Sequence, residues 1–241
     1  MRKFPNPNLD TLKSFVISTN AIERIPMNIS IVNKAIKDGK ENGDPYAVGH
    51  FSAINLILKK YANEDNLIPK SNTIITENHS HERFQWLRDV HTEIMTPIMI
   101  QGEKLLQPDA PLKHQIGSYR SLKKTLGRRS MPDPSLIKKH MHDLLLSLAR
   151  FNEEIDIKIK NPFMLSKMDI KSIADTCYDA HLKICCIKPF HDGSNRVARL
   201  FENAIRLYWG LPWKVYDIEN KDKYMADIFS MQEKYPEYIK N

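Results

Sequence analysis

Glycine and cysteine are scarce in this chain, 8 and 3 of 241 residues, and each shortage excludes something. Few glycines and few alternating apolar and polar runs argue against a β-rich fold, which needs turn residues and a two-residue rhythm. Cys185 and Cys186 are adjacent and lie within a helical pattern, so the three cysteines make neither a disulfide framework nor a CxxC metal site. They read as buried thiols in a reducing compartment. No apolar run reaches the roughly 18 residues of a membrane span. Residues 1–8 lack the apolar core of a cleaved signal peptide. The expectation is a cytoplasmic protein, with secretion by a route without a cleaved signal left open. Nine histidines include no HExxH pair, and GxGxxG, Walker and nucleophile-elbow sequences are absent. Repeats and low-complexity segments are absent as well.

Against these absences stand a 41% share of hydrophobic residues and a net charge of +7. The first is enough for a substantial core in a single helical domain spanning 1–241. The second favours anionic partners, whether nucleic acid, nucleotides or acidic protein surfaces. Charge alone does not choose among them.

The most informative stretch is Ile187-Lys188-Pro189-Phe190-His191-Asp192-Gly193-Ser194-Asn195-Arg196-Val197-Ala198-Arg199. Before it, Ile170, Ile173, Ala174, Cys177, Ile184 and Cys185 recur at helical spacing; after it, Val197, Leu200, Phe201, Ala204, Ile205 and Tyr208 do the same. It is therefore a tight junction between two helices. Pro189 stops the first, because a residue before proline leaves the helical region. Asp192-Gly193-Ser194 is turn and cap chemistry that starts the second. A helix N-terminus presents unpaired N–H groups and a partial positive charge, suited to phosphate. Arg196, Arg199, Asn203 and Arg206 fall in one polar stripe of the second helix. Two arginines and an amide above an anion hole, with Asp192 able to hold a divalent cation, point to a nucleotide polyphosphate with Mg2+. The plainer reading of the same residues is a loop followed by a solvated helix face.

The stretch resembles the signature of the Fic (Fido) family, H-P-F-x-[D/E]-G-N-G-R-x-x-R. Pro189, Phe190, Asp192, Gly193, Arg196 and Arg199 match, as does Asn203, where the family often has an adenosine-contacting Asn. The resemblance implies an all-α fold with a short β-hairpin flap, and transfer of AMP from ATP to a hydroxyl of a target protein. It further implies nucleotide binding by Gly193, Ser194, Asn195, Arg196, Arg199 and Asn203, with Mg2+ at Asp192. Three positions depart: Lys188 replaces the catalytic His, Ser194 the Asn, and Asn195 the second Gly.

A second stretch, Ser18-Thr19-Asn20-Ala21-Ile22-Glu23-Arg24, resembles the inhibitory motif [S/T]-x-x-x-E-[G/N] of one Fic class. Thr19 and Glu23 match; Arg24 departs. The motif lies in a helix expected over 9–25, within N-terminal helices covering 1–80. The resemblance implies that Glu23 pairs with Arg199 and displaces the terminal phosphate of ATP. A Thr and Glu four apart also occur on helices that do no such thing.

Further helices are expected from Asp44-Pro45 through Tyr61, from about Glu82 to Met99 with His79 and His81 preceding it, and from Asp133-Pro134 through Phe151. The intervals 63–73, 101–114 and 152–162 read as connections. Ser166 reads as a helix cap, Gly210-Leu211-Pro212 as a helix end, and 220–234 as a last helix. Within an expected core at 81–241, residues 117–131 begin Gly117-Ser118-Tyr119-Arg120 and resemble the Fic flap, along which a target protein segment would lie. Five basic residues from Arg120 to Arg129 allow three readings: a solvated hairpin, a dock for an acidic or phosphate-bearing partner, or a nucleic-acid contact. The hairpin has one Tyr and no recognition helix, so nucleic acid ranks last. Tyr224 falls where the family places an aromatic near the base, and is equally a core position; His181 reads as a core histidine.

In the family the signature His takes the proton of the target hydroxyl. An ordinary lysine amine is protonated at neutral pH and bound phosphate holds it so, which makes Lys188 a phosphate ligand rather than a base. His191 is the other nearby candidate base. Asn195 brings a side chain to a place where the family has none. The leading expectation is a Fic-like protein that binds ATP, is impaired or altered in transfer, and is inhibited by Glu23. The alternative is an active protein adenylyltransferase, and the third a nucleic-acid-binding partner.

Overall fold

The computed structural model describes residues 6–61, 67–73, 76–107, 110–126, 129–160 and 166–236. Among these the chain is mainly helical, with one two-stranded hairpin, as expected for the fold class.

Helix α1, Leu9–Ile22, begins where the Asn8 side chain accepts a hydrogen bond from the Thr11 N–H at 2.8 Å. It buries Leu12, Phe15, Val16 and Thr19, and it ends earlier than 25. Glu23 caps it, and Arg24 takes a left-handed φ of 63°, which no helix continues. Helix α2, Ile29–Asn42, has no counterpart in the sequence expectations: only Val32 and Ala35 of its apolar residues are buried, so its stripe is short. Helix α3, Pro45–Leu56, starts as expected, with Asp44 accepting from the Tyr46 and Ala47 N–H groups and Pro45 in the first turn. It runs on through a π-helical turn, Ile57–Tyr61. Gly49 lets α3 lie hard against α5: a Cβ there would meet the Ile94 carbonyl oxygen at 2.4 Å.

The single helix expected over 82–99 is two. Thr76 caps α4, Glu77–Arg83, which places His79 and His81 inside a helix rather than before one. The chain breaks at Phe84, whose ring is buried, and α5 runs Gln85–Lys104. The hairpin lies within 117–131, with β1, Thr125–Leu126, antiparallel to β2, Arg129–Ser130. Helix α6, Ile137–Lys160, follows the Asp133-Pro134 start and overruns the connection expected at 152–162, because Ile155 continues its buried stripe. The rest of that connection lies outside the described residues, as does 63–66 of the earlier one.

Helices α7, Lys167–Ile187, and α8, Ser194–Tyr208, pack together at the centre, with α9, Lys221–Lys234, and α6 against α7 and with α5 against α8. Ser166 and Asp169 form a reciprocal capping box at the start of α7. Gly210, at φ 82°, ends α8 while the Leu211 N–H reaches back to the Arg206 carbonyl at 2.7 Å. The stripes facing inward are those the spacing marks, except that Ile170 is exposed. All three cysteines are free and buried. Each large apolar side chain so buried contributes about 1.5–3 kcal/mol, which makes the α7–α8 pair a firm base for the loop between them.

Candidate functional site

The junction loop is built by backbone geometry and two neighbours. Lys188 caps α7 in the left-handed conformation (φ 48°, ψ 62°), its N–H on the Ile184 carbonyl. Phe190 is fully buried and stacks on His91 of α5 with ring centres 4.0 Å apart. His91 Nδ1 accepts from the Gly117 N–H at 2.9 Å, so its proton sits on Nε2 and is donated to the Asp192 carbonyl at 3.0 Å. Burial, outweighing the Asp192 hydrogen bond, lowers its pKa to about 4, and the ring is neutral. Gly193, at φ 72°, turns the chain where a Cβ would lie 2.9 Å from Met95 Sδ. Ser194 Oγ accepts from the Phe190 N–H at 3.1 Å, closing the loop on itself. It does not cap α8, which begins on Gly193 with no side-chain cap.

Three cations converge on that open N-terminus and are satisfied unequally. Lys188, 9% exposed, donates to Asn195 Oδ1 at 2.6 Å and has no carboxylate within salt-bridge distance among the described residues. Arg196 is buried over the Tyr46 ring; its Nη2 donates to Asp192 Oδ2 at 3.1 Å, but its buried Nη1 has no acceptor. The Asp192 side chain is 66% exposed. Arg199 is fully buried, and each of its three nitrogens donates. Its Nε donates to Thr19 Oγ1 at 2.5 Å, its Nη2 to the Thr19 carbonyl and to Glu23 Oε1 at 2.6 Å, and its Nη1 to the Tyr224 hydroxyl at 3.3 Å. Burial pushes the Glu23 pKa up, but the Arg199 charge and hydrogen bond, with Lys188 and Arg196 behind them, bring it to about 2.

Asn203 is placed differently. Its amide donates to the Arg199 and Lys214 carbonyls and accepts from the Lys214 N–H at 2.6 Å, so every bond goes to backbone. Arg206 donates to the Pro212 carbonyl at 2.9 Å. The stripe seen in the sequence is thus a buried face rather than a solvated one, with even the Arg206 side chain only 13% exposed.

Behind Arg199 lies a buried polar network that periodicity does not reveal. Glu202 Oε2 faces His181 Nδ1 at 2.7 Å and accepts from the Tyr216 hydroxyl at 2.6 Å, while Oε1 accepts from Lys214 Nζ. His181 Nε2 is 2.9 Å from the Tyr224 hydroxyl, which links the network to Arg199. Burial alone would raise the Glu202 pKa; His181, Lys214 and Tyr216 reverse that and hold it at about 2. A cavity of about 330 Å³ opens beside this cluster, walled by Ile22, Tyr178, Lys214, Tyr216, Tyr224 and Asp227.

Three of the flap's four described basic residues are bound within the chain. Arg120 donates to the Lys188 carbonyl at 2.7 Å, Lys124 Nζ to the His191 carbonyl, and Arg129 to Glu233 at 2.9 Å. Lys123 is exposed, and Arg128 lies outside the described residues. His191 receives the Ser121 N–H on Nε2 at 3.4 Å, away from the open helix end.

No protein-family model and no curated sequence matches the chain. Solved structures do. A Fic-domain-containing signaling protein from Bacteroides thetaiotaomicron aligns over 91% of this chain and 71% of its own, at 17% identity and a TM-score of 0.59. The chain has the Fic fold. Two forms of Fic-1 from C. elegans align over 92% of this chain at TM-scores of 0.57 and 0.55 and identities of 17% and 18%; the chain spans 55% of their length. In this Fic fold the signature-like stretch forms the α7–α8 junction, and Thr19 and Glu23 reach it from the end of α1. His91, Arg120 and Glu202 are the residues around the site that sequence reasoning missed or read otherwise, while His181, read as a core histidine, is fully buried. His91 sat within an expected amphipathic helix, and only the Gly-x-Tyr-Arg start of the flap marked Arg120.

Proposed function

We propose that this Fic-fold protein binds ATP or a related nucleotide at the α7–α8 junction, that Glu23 restrains the site, and that Lys188 acts as a phosphate ligand in the place of a base. The observation that carries the reading is the buried, acceptorless Nη1 of Arg196. Leaving a charged donor unsatisfied costs on the order of 1–3 kcal/mol or more, and a phosphate oxygen removes that cost. Lys188 adds a nearly buried amine whose hydrogen-bond acceptor among the described residues is an amide oxygen, at the positive end of an uncapped helix. A cation is unfavourable there unless an anion joins it.

The remaining pieces fit a nucleotide. Magnesium is usually held by one or two carboxylates together with ligand phosphates. Asp192, exposed and with one oxygen on Arg196, suits that role; the ion would neutralise phosphate charge. The tyrosine-walled cavity beside Arg199 has room for a base. Glu23 takes a donor of Arg199 that a terminal phosphate would otherwise use. Calorimetry with ATP and Mg2+ tests this: Arg196→Glu abolishes binding, and an affinity unchanged from the parent refutes the assignment.

The alternative, active AMP transfer to a protein lying along 117–131, needs a base. Its readout is labelling from ATP radiolabelled at the α-phosphate, and robust labelling by the unmodified protein would overturn the impaired reading. The nucleic-acid reading has less support, since Arg120, Lys124 and Arg129 are spent on contacts within the chain.

A further inference from the structure

We infer that Arg120 is a positioning residue of this site: by clamping the backbone of the α7 C-terminus it sets where the Lys188 ammonium stands over the start of α8. The inference rests on the anion-site reading only for its binding consequence; the clamp is independent of any ligand.

Arg120 is 3% exposed and has no carboxylate within salt-bridge distance among the described residues. Its guanidinium instead serves backbone carbonyls. Nε donates to Lys188 at 2.7 Å, Nη2 to Pro132 at 2.6 Å and Ile187 at 3.4 Å, and Nη1 to Leu122 at 2.9 Å. The Arg120 backbone N–H donates to the Pro189 carbonyl at 2.8 Å. Ile187 and Lys188 carry the last carbonyls of α7, which lack donors within the helix, and the negative end of the helix dipole favours a cation there.

Lys188 needs such support. A left-handed conformation is unfavourable for a lysine, and it persists only where the surroundings over-determine it. Here its N–H is held by Ile184, its carbonyl by Arg120 and the next carbonyl by the Arg120 N–H, so the peptide on either side is fixed. With the backbone fixed, Nζ reaches Asn195. Only a planar fork of five donors serves four diverging carbonyls; a lysine at 120 has one nitrogen to offer. The charge on the flap that reads as a docking surface is, at this residue, a bracket between the flap and the junction loop.

Two measurements test the inference. In ligand-free protein, NMR shifts of the Lys188 backbone report its left-handed conformation. Arg120→Lys is expected to lose it while circular dichroism shows the helices intact; Arg120→Gln takes its place should that variant not fold. Retention of the left-handed state in the variant overturns the inference, whatever the protein binds. The second is a double-mutant cycle on ATP–Mg2+ affinity in a Glu23→Gly background. Arg120→Lys is expected to weaken binding by about tenfold when Lys188 is present and to cost nothing further beside Lys188→Ala. Equal losses in both backgrounds would make Arg120 a general structural residue and overturn its action through Lys188. Absence of ATP binding by the Glu23→Gly parent defeats the nucleotide reading, and the NMR result then decides the clamp on its own.

Discussion

Lys188, Arg196 and Arg199 sit at one helix start, yet each meets a different fate: an amide oxygen, a half-satisfied exchange with Asp192, and full engagement by Thr19, Glu23 and Tyr224. The departures from the Fic signature are coupled through contact, because the side chain of Asn195 holds that of Lys188. Restoring one alone therefore leaves the other misplaced. Lys188→His with Glu23→Gly supplies a base that titrates near working pH and frees Arg199, where general-base catalysis is worth about 10²–10⁴-fold. Labelling from α-labelled ATP is expected to appear in that variant and to rise further when Ser194→Asn and Asn195→Gly are added. No labelling in the fully restored protein would show that the defect extends beyond the base and the anion hole.

At the scale of elements, α5 and α3 form the back wall of the site through two neutral histidines. His91 orients the loop, and His50 of α3, its Nδ1 donating to the Tyr46 carbonyl at 2.7 Å, is driven to about 3 by burial and by Arg196. Both pKa values lie below the ordinary 6.5, so the unfolded chain binds these protons first. Their contribution to stability is fully present above about pH 6.5 and is lost as pH falls toward 4 and then 3, on the order of 3 kcal/mol for His91. Urea midpoints measured from pH 7 to pH 5 are expected to fall, and less steeply in His91→Gln. Gly49 sets how close α3 and α5 come. Gly49→Val is expected to destabilise the fold by about 1–3 kcal/mol or more, because the added carbons meet the Ile94 backbone rather than a movable side chain. An unchanged urea midpoint would show that the two helices part at little cost.

For the whole molecule, a ligand that binds only the folded chain stabilises all of it. At 100 times its Kd the gain is about 2.7 kcal/mol, a rise in Tm of several degrees for a chain of this size. ATP–Mg2+ is expected to raise the Tm of Glu23→Gly more than that of the parent, since only the parent must first give up the Glu23–Arg199 pair. Equal shifts would remove the restraint from Glu23. The helical class, the starts of α1, α3 and α7, the end of α8 and the turn at Gly193 could all be read along the chain. Caps, proline, turn glycines and a 3.6-residue rhythm act within a few positions of themselves. Where that rhythm is short, as in α2, or carries on past a polar stretch, as in α6, the reading failed. Burial and partners obey no such locality. Arg199 meets Thr19 and Glu23 from 180 and 176 positions away; family resemblance implied the Glu23 pairing, and no spacing could supply either. His91 reaches Asp192 across 101 positions and Arg120 reaches Lys188 across 68, and neither contact leaves a periodic trace. Charge along the flap could be counted from the residues; that Arg120 faces inward follows from the unpaired carbonyls that only a folded α7 presents to it.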